Sequence, residues 1–333
     1  MFRNSTDLPP TLVGLDIPNL GFLNLHDRNY CLNTPRTTGH TSVPFKSTSL
    51  STISVMATTT LPSRLVQQHQ SSATQSSSTD SRNELHVRGD HYIGIDVGTG
   101  SARACIINEH GDIVGLASEN IGLWQPEHGF YEQSTTDIWR CICNSVQRAL
   151  TQQNVDRNSI RGIGFDATCS LAVFTHDTDE PVSVTGPRFD GNDHNVVLWL
   201  DHRPVEETKK INATKHNLLR YVGGTMSIEM EIPKVLWLKN HMPKELFDRC
   251  KFYDLADALT HLATGNENRS FCSVVCKQGY VPVGVDGSVK GWQEDFLGAI
   301  GLEDLTHDNF TRVGGVNGVV SLFHLFCIML QQD

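Results

Sequence analysis

The residues best suited to chemistry fall in four short stretches. Residues 93–103 read IGIDVGTGSAR. An apolar run ends in Asp96, a turn of Gly98, Thr99, Gly100 and Ser101 follows, and the chain returns with Arg103. Glycines in such a turn let backbone N–H groups come close to an anion, and successive N–H groups form an anion nest. Asp96 suits hydrated Mg2+, a hard cation that prefers carboxylate and water. Arg103 can fork onto phosphate oxygens. No GxxxxGK[ST] loop is present, and GTGSAR lacks the third glycine and the following helix of a dinucleotide fingerprint. The alternative is a plain hairpin with a glycine turn. The other stretches are FDATCS at 165–170, with Asp166, Ala167, Thr168 and Cys169; LWLDHR at 198–203, with Trp199, Asp201, His202 and Arg203; and PKVLWLK at 233–239, with Lys234. Asp201 and Arg203 also fit a surface ion pair worth under about 1 kcal/mol. Lys234 equally fits a solvated helix lysine, and Asp166 a cap at a strand end. Cys141-x-Cys143 and Cys272-x-x-x-Cys276 lack zinc spacing and read as free thiols.

These stretches need elements to hold them. YIGID (92–96), ARACII (102–107) and residues 112–117 read as three strands joined by short Gly-containing turns, the spacing of an antiparallel meander. Residues 135–150 have helical spacing, with Ile138, Ile142, Val146 and Leu150 on one face. Residues 160–165, 170–174 and 196–200 read as further strands. Residues 204–213, 232–240 and 253–263 read as helices, the last stopped by Gly265. Asp257 lies on the apolar-faced helix and is expected to be structural. Mixed strands and helices in this order predict an α/β domain with an antiparallel portion.

Composition narrows the class. The 333 residues carry 27 basic and 37 acidic side chains, a net charge of −10. That balance argues against a nucleic-acid binder, which carries a basic patch, and against docking on an anionic membrane. No apolar run reaches the roughly 18 residues of a membrane-spanning helix. Nine cysteines without C-x-x-C spacing suit a reducing compartment. The expected location is cytoplasmic, with a mitochondrial transit peptide as the lesser alternative, because Arg3, Arg28, Arg36 and Arg64 are offset by Asp7, Asp16 and Asp27. Between 47 and 81, 18 of 35 positions are Ser or Thr. Such a stretch buries too little apolar surface to offset ordering entropy. Residues 1–90 are therefore expected to be a disordered extension, and an ordered domain to run over 91–314. Residues 315–333 are expected to be an apolar tail, VVSLFHLFCIML at its centre.

The four stretches, in order, resemble the FGGY carbohydrate kinases of the sugar kinase/actin-like ATPase superfamily. IGIDVGTGSAR is similar to that family's first phosphate loop. HGFYEQSTTDIW (128–139), IRGIGFDATCS (160–170), LWLDHR, PKVLWLK, DLADALTHLATG (254–265) and WQEDFLGAIGL (292–302) resemble its later motifs. The Asp-His-Arg triplet and G-x-D-A-T-C-S look closest to the ribulokinase-like branch. The resemblance implies a ribonuclease H-like amino-terminal lobe, a mixed sheet flanked by helices, with the second lobe absent. It implies ATP and Mg2+ as cofactors and transfer of the γ-phosphoryl group to a hydroxyl of a small sugar, a ketopentose such as ribulose. The phosphate and Mg2+ edge then falls to Asp96, Gly98, Thr99, Gly100, Ser101 and Arg103. The sugar side falls to Asp166, Ala167, Thr168, Cys169, Trp199, Asp201, His202, Arg203 and Lys234. Asp201 would accept sugar hydroxyls, His202 or Arg203 would donate, and Trp199, two residues from Asp201, would offer an apolar wall on the same side of a strand. The family's general-base aspartate belongs to the second lobe, and no segment here resembles it; the chain is expected to be truncated. Partners are a small-molecule sugar and a nucleotide, with a homodimer as a further option, and neither nucleic acid nor membrane. A non-catalytic sugar-binding or regulatory chain is the alternative. An actin-like or chaperone ATPase is disfavoured by the W-x-D-x-R and P-K-L-L-W-L likenesses.

Overall fold

A computed structural model describes residues 89–316 and 318–320. The Ser/Thr-rich extension and all but the start of the apolar tail lie outside the described residues.

The first sheet is the meander plus one strand. β1 (His91–Val97), β2 (Ser101–Asn108) and β3 (Ile113–Asn120) pair antiparallel. After β4 (Glu132–Gln133) and helix α1 (Thr135–Gln152), the chain returns as β5 (Ile160–Ala167), parallel to β1. The order is β3-β2-β1-β5. Successive side chains of a strand face opposite ways. Ile93, Ile95 and Val97 of β1 and Ala102, Ala104 and Ile106 of β2 are buried in one cluster with Ile138, Ile142 and Val146 of α1. Tyr92, Gly94 and Asp96 face outward. Ser134 caps α1, its Oγ accepting from Asp137 N at 3.3 Å.

The second sheet divides two cores. It contains β4, β6 (Leu171–Thr175), β7 (Val196–Val197) and β8 (Cys250–Asp254), in the order β4-β7-β6-β8 and antiparallel throughout. Every residue of β6 and β8 is buried. Alternation sends Ala172, Phe174, Val196 and Tyr253 to the α1 core. Leu171, Val173, Val197 and Phe252 go to the second core. That core is completed by α2 (Val205–Ala213), α3 (Glu231–His241), α4 (Lys244–Phe247) and, further on, α7 (Glu294–Ile300). α5 (Leu255–Thr264) contributes Leu255, Ala258 and Leu259 to the α1 core. Strand β9 (Arg269–Ser270) leads into α6 (Phe271–Lys277) and pairs in parallel with β10 (Val319–Val320). Among the described residues no helix is long and apolar enough to cross a membrane.

Two expectations are corrected. Residues 253–254 are strand, not helix. Asp254 is the N-cap of α5, its Oδ1 accepting from Ala256 N at 3.2 Å, so the helix starts after it. Strand pairing near 196–200 stops at Val197, because Asp201 N closes a turn onto the Leu198 carbonyl at 3.1 Å. The meander, α1, and the stop of α5 at Gly265 (φ 68°) are as expected.

The free edge of β3 is covered by α1. Gln152 donates its side-chain amide to the Leu116 carbonyl (2.8 Å) and accepts from Leu116 N (3.0 Å). The approach needs Gly115, where a Cβ would stand 2.3 Å from the Ala149 carbonyl oxygen. Gly115→Ala would force strand and helix backbones apart. The expected outcome is a loss of about 1–3 kcal/mol in urea unfolding, with the same fold by circular dichroism.

Candidate functional site

The phosphate-type turn connects β1 to β2. Gly98 N donates to the Ser101 carbonyl at 3.0 Å and closes it. Asp96 and Arg103 stand opposite in register, with Nη1 2.9 Å from Oδ2 and both side chains about half exposed. A Cβ on Gly98 would lie 2.6 Å from Arg103 Nη2, so the glycine gives the guanidinium its place across the turn. Asp166 stands beside Asp96 in the parallel register of β5, and both face outward. Gly100 is exposed and Ser101 half-buried. Two carboxylates and one guanidinium thus gather at one strand end, open to water. Hard oxygen donors with room for water ligands fit Mg2+. Asp96 and Asp166 are the residues that could hold it, and Arg103 could meet phosphate oxygens.

Two hydrogen bonds tie this turn to the rest of the site. Trp199 Nε1 donates to Thr99 Oγ1 (3.1 Å), and Gln133 Nε2 donates to the Thr99 carbonyl (2.8 Å). Trp199 is 37% exposed, next to the β1–β2 turn.

The turn after β5 is held from two sides. Ala167 stands opposite Val97 in register, and Thr168 N donates to the Val97 carbonyl at 3.0 Å. Thr168 Oγ1 and Ser170 Oγ share a hydrogen bond of 3.2 Å. Cys169 Sγ lies 3.9 Å from the Glu229 carbonyl oxygen, and burial pushes its thiol up to about 12. Lys234 is fully buried, not solvated. Its ammonium donates to the carbonyls of Leu198 (2.7 Å) and Glu229 (2.9 Å). An ammonium has three N–H donors, so one remains. Burial lowers Lys234 to about 8, against the opposing pull of Cys169, Glu231 and Asp201.

Asp201 and Arg203 are placed differently from expectation. They do not form a surface pair, and Asp201 does not share a side with Trp199. Residues 199–200 form a turn, so the two-residue spacing of a strand does not apply; Asp201 is fully buried while Trp199 is exposed. Asp201 Oδ2 accepts from Tyr131 N (2.7 Å), Arg203 Nη2 (2.8 Å) and Arg203 Nε (3.0 Å), and Oδ1 accepts from Arg203 N (2.9 Å). Arg203 Nη2 also reaches Glu132 Oε1 at 2.9 Å, and Nη1 the Val184 carbonyl at 2.9 Å. Its guanidinium carbon lies 4.2 Å from the Phe130 ring centroid and 4.9 Å from that of Trp237. Both Asp201 oxygens are thus taken by protein donors, and Nε and both Nη atoms of Arg203 are engaged by protein acceptors. His202 is exposed, with its backbone N donating to the Gly129 carbonyl at 2.9 Å.

Sequence reasoning gave no role to Glu132, Glu231, Asp254, Lys277 or Gln278. Glu132 lies inside a quoted motif, but nothing local says that it meets an arginine 71 positions away. Among the described residues, two other trios bring ligand-type atoms within 4.8 Å of one another: Cys169, Glu231 and Asp254, and Asp179, His261 and Glu267. A lysine already sits in each. Lys277 Nζ is 2.6 Å from Asp254 Oδ2, and Lys251 Nζ is 2.8 Å from Glu267 Oε1.

Comparison with known proteins covers most of this region. Residues 91–279 match the N-terminal domain of the FGGY family of carbohydrate kinases. A D-ribulokinase of Saccharomyces cerevisiae is 52% identical over 224 residues, 67% of this chain and 31% of that protein. A human FGGY carbohydrate kinase domain-containing protein is 43% identical over 226 residues, 67% of this chain and 39% of that protein. The chain therefore spans between about a third and two fifths of the length of these relatives. Among solved structures, a xyloylose kinase from Brucella ovis has a TM-score of 0.55 at 19% identity, over 69% of this chain and 42% of that one, a likeness of fold.

Replacing Arg203 with Met would leave Glu132 and Asp201 buried without their counter-charge. The expected loss in denaturant unfolding is about 3–5 kcal/mol. Arg203→Lys should recover little of it, because one ammonium cannot span both carboxylates and the Val184 carbonyl.

Proposed function

The chain belongs to the FGGY family of carbohydrate kinases, through its N-terminal domain, and on that premise we propose that it provides the sugar- and Mg-phosphate-binding lobe of a D-ribulose kinase. The observation that carries the choice of sugar is the 52% identity to a D-ribulokinase. The reaction proposed for the whole protein moves the γ-phosphoryl group of ATP to a ribulose hydroxyl.

Transfer of this kind depends on positioning and charge neutralisation more than on covalent chemistry by the protein. Mg2+, when bound, would neutralise phosphate charge as it develops, and Asp96 with Asp166 would hold it through water. Arg103 is proposed to fork onto phosphate oxygens once it leaves Asp96; both groups are half exposed, so the exchange costs little. On the sugar side, Lys234 points its third N–H at a hydroxyl oxygen, and Thr168 and Cys169 line the turn beside it. Trp199 supplies the flat wall, locked by its bond to Thr99. Through that bond the wall and the phosphate turn move as one unit, which keeps a bound sugar in line with the phosphate edge. Asp201 and Arg203 shape the loop that carries Trp199 without touching sugar.

The attacking hydroxyl also needs a proton acceptor. Asp201 cannot serve, because both of its oxygens are taken by Arg203 and Tyr131 N. The acceptor is proposed to lie in the part of the relatives that this chain does not span.

The test is calorimetric titration of the full chain with D-ribulose, alongside ADP release with ATP and Mg2+. Measurable binding that Lys234→Met weakens at least about tenfold, roughly 1.4 kcal/mol, is the expected outcome. Binding should also weaken as pH rises through about 8, since Lys234 keeps its third donor as an ammonium below that value and loses the proton above it. No binding, or binding indifferent to Lys234, would remove this pocket. Sugar-dependent ADP release would place an acceptor within these residues.

A further inference from the structure

Glu231 occupies the first turn of α3, three residues before Lys234. An acid in a first turn ordinarily faces water and complements the helix dipole. This one is fully buried. Gln278 Nε2 donates to its Oε2, while Oε1 is buried with no donor. A buried acceptor without a donor is costly, and the cost vanishes if that oxygen carries a proton. An acceptor for that proton stands close by. Asp254 is fully buried, its Oδ1 takes Ala256 N, and its Oδ2 is ion-paired with Lys277 outside good hydrogen-bonding alignment. Cys169 Sγ and a carboxylate oxygen of each acid lie within 4.8 Å of one another.

Every element packed around the pair presents a titratable or polar group to it. The end of α6 supplies Lys277 and Gln278. The turn after β5 supplies Cys169, and α3 supplies Lys234. α5 supplies Asp257, itself raised to about 7 by burial and then by Asp254. Burial first, then the charge of Asp254 and a contact with it, push Glu231 well above the usual carboxylate range.

We propose that Glu231 and Asp254 share one proton, and that this carboxyl–carboxylate pair is the positioning device that fixes Lys234 against the Thr168–Cys169 turn. The pair joins α3 to the β8–α5 junction. The Glu229 carbonyl, two residues before Glu231, receives Lys234 Nζ and lies against Cys169 Sγ. Charge gives the arrangement its purpose. Asp254 and Lys277 cancel, Glu231 is neutral, and Asp201 is spent on Arg203. Lys234 is then a cation with no carboxylate in hydrogen-bonding contact, and its third N–H is free for a hydroxyl oxygen. Were Glu231 ionised, its charge would stabilise the Lys234 ammonium from within the protein. The inference rests on the reading of Lys234 and the turn as sugar contacts, and deepens it.

The experiment compares Glu231→Gln with Glu231→Ala in the full chain. A glutamine is neutral, accepts from Gln278 and donates to Asp254. It should bind D-ribulose within about twofold of wild type, whereas the alanine variant should weaken binding at least about tenfold. Infrared difference spectra, wild type minus Glu231→Gln at neutral pH, should show the carbonyl stretch of an un-ionised carboxylic acid. Alkylation of Cys169 by iodoacetamide, followed by peptide mass spectrometry, should be unchanged in the glutamine variant and faster in the alanine variant. A glutamine variant that loses sugar binding as the alanine variant does, or a difference spectrum without the acid band, overturns the shared proton. If wild type binds no D-ribulose, the functional reading fails, and the infrared and thiol readouts still decide the pair. If the alanine variant does not fold, the glutamine variant and its spectrum decide it.

Discussion

The guanidinium of Arg203 is the interaction on which the site depends. Among the described residues it is the one cation that satisfies two buried carboxylates at once, Glu132 on β4 and Asp201 after β7. Taking three charges out of water is expensive, and Coulomb attraction repays it only where the remaining hydrogen-bonding groups are also met. Here they are. Asp201 takes two backbone N–H groups, Arg203 reaches the Val184 carbonyl, and Thr185 Oγ1 donates to Glu132. Phe130 and Trp237 close the faces of the guanidinium. Two carboxylates against one guanidinium leave a formal negative charge, and His194 Nδ1 lies 3.6 Å from Glu132 on that side. Such a cluster favours one conformation of the loop after β7 over others, since any shift strands a charge.

From that fixed loop the geometry passes outward in short steps. Leu198 gives its carbonyl to Lys234, and Trp199 bonds Thr99. Gln133, next to Glu132, holds the carbonyl of the same Thr99. The β1–β2 turn, Trp199 and the buried lysine are thus referenced to one buried charge. The second sheet gives the cluster a rigid backing, because β6 and β8 are packed on both faces and cannot shift without disturbing two cores.

Much of this was legible in the sequence, for physical reasons that apply unevenly. The meander, α1 and the β1–β2 turn follow from periodicity and glycine placement, which are local. The outward position of Asp96 follows from alternation in β1. Asp201 and Arg203 were readable as a pair but not as a buried one, because D-x-R spacing is the same at a surface and in a core. What buries them is Glu132, Phe130 and Trp237, distant in sequence. Residues 253–254 misread because a cap residue ends a strand and starts a helix at once, and Leu255, Ala258 and Leu259 extend an apolar pattern that begins in the strand. Glu231 drew no reading from the sequence, because nothing local marks a first-turn acid as buried; only its tertiary surroundings turn it inward.

Two buried cations in this site are treated in opposite ways, and the contrast separates framework from ligand contact. Arg203 is well supplied with acceptors: two carboxylates and a carbonyl engage Nε and both Nη atoms, and two aromatic rings cover it. Lys234 is under-supplied. It has two neutral carbonyls, no carboxylate in hydrogen-bonding contact, and an acidity raised by burial. A chain that needed only a stable core would gain by giving Lys234 an anion or replacing it with an apolar residue. Leaving a buried ammonium with one unspent donor is costly for folding, and the sugar oxygen proposed for it would complete its set. The same reasoning applies to the un-ionised Glu231 proposed beside it, whose ionisation would supply the lysine with the anion that it lacks.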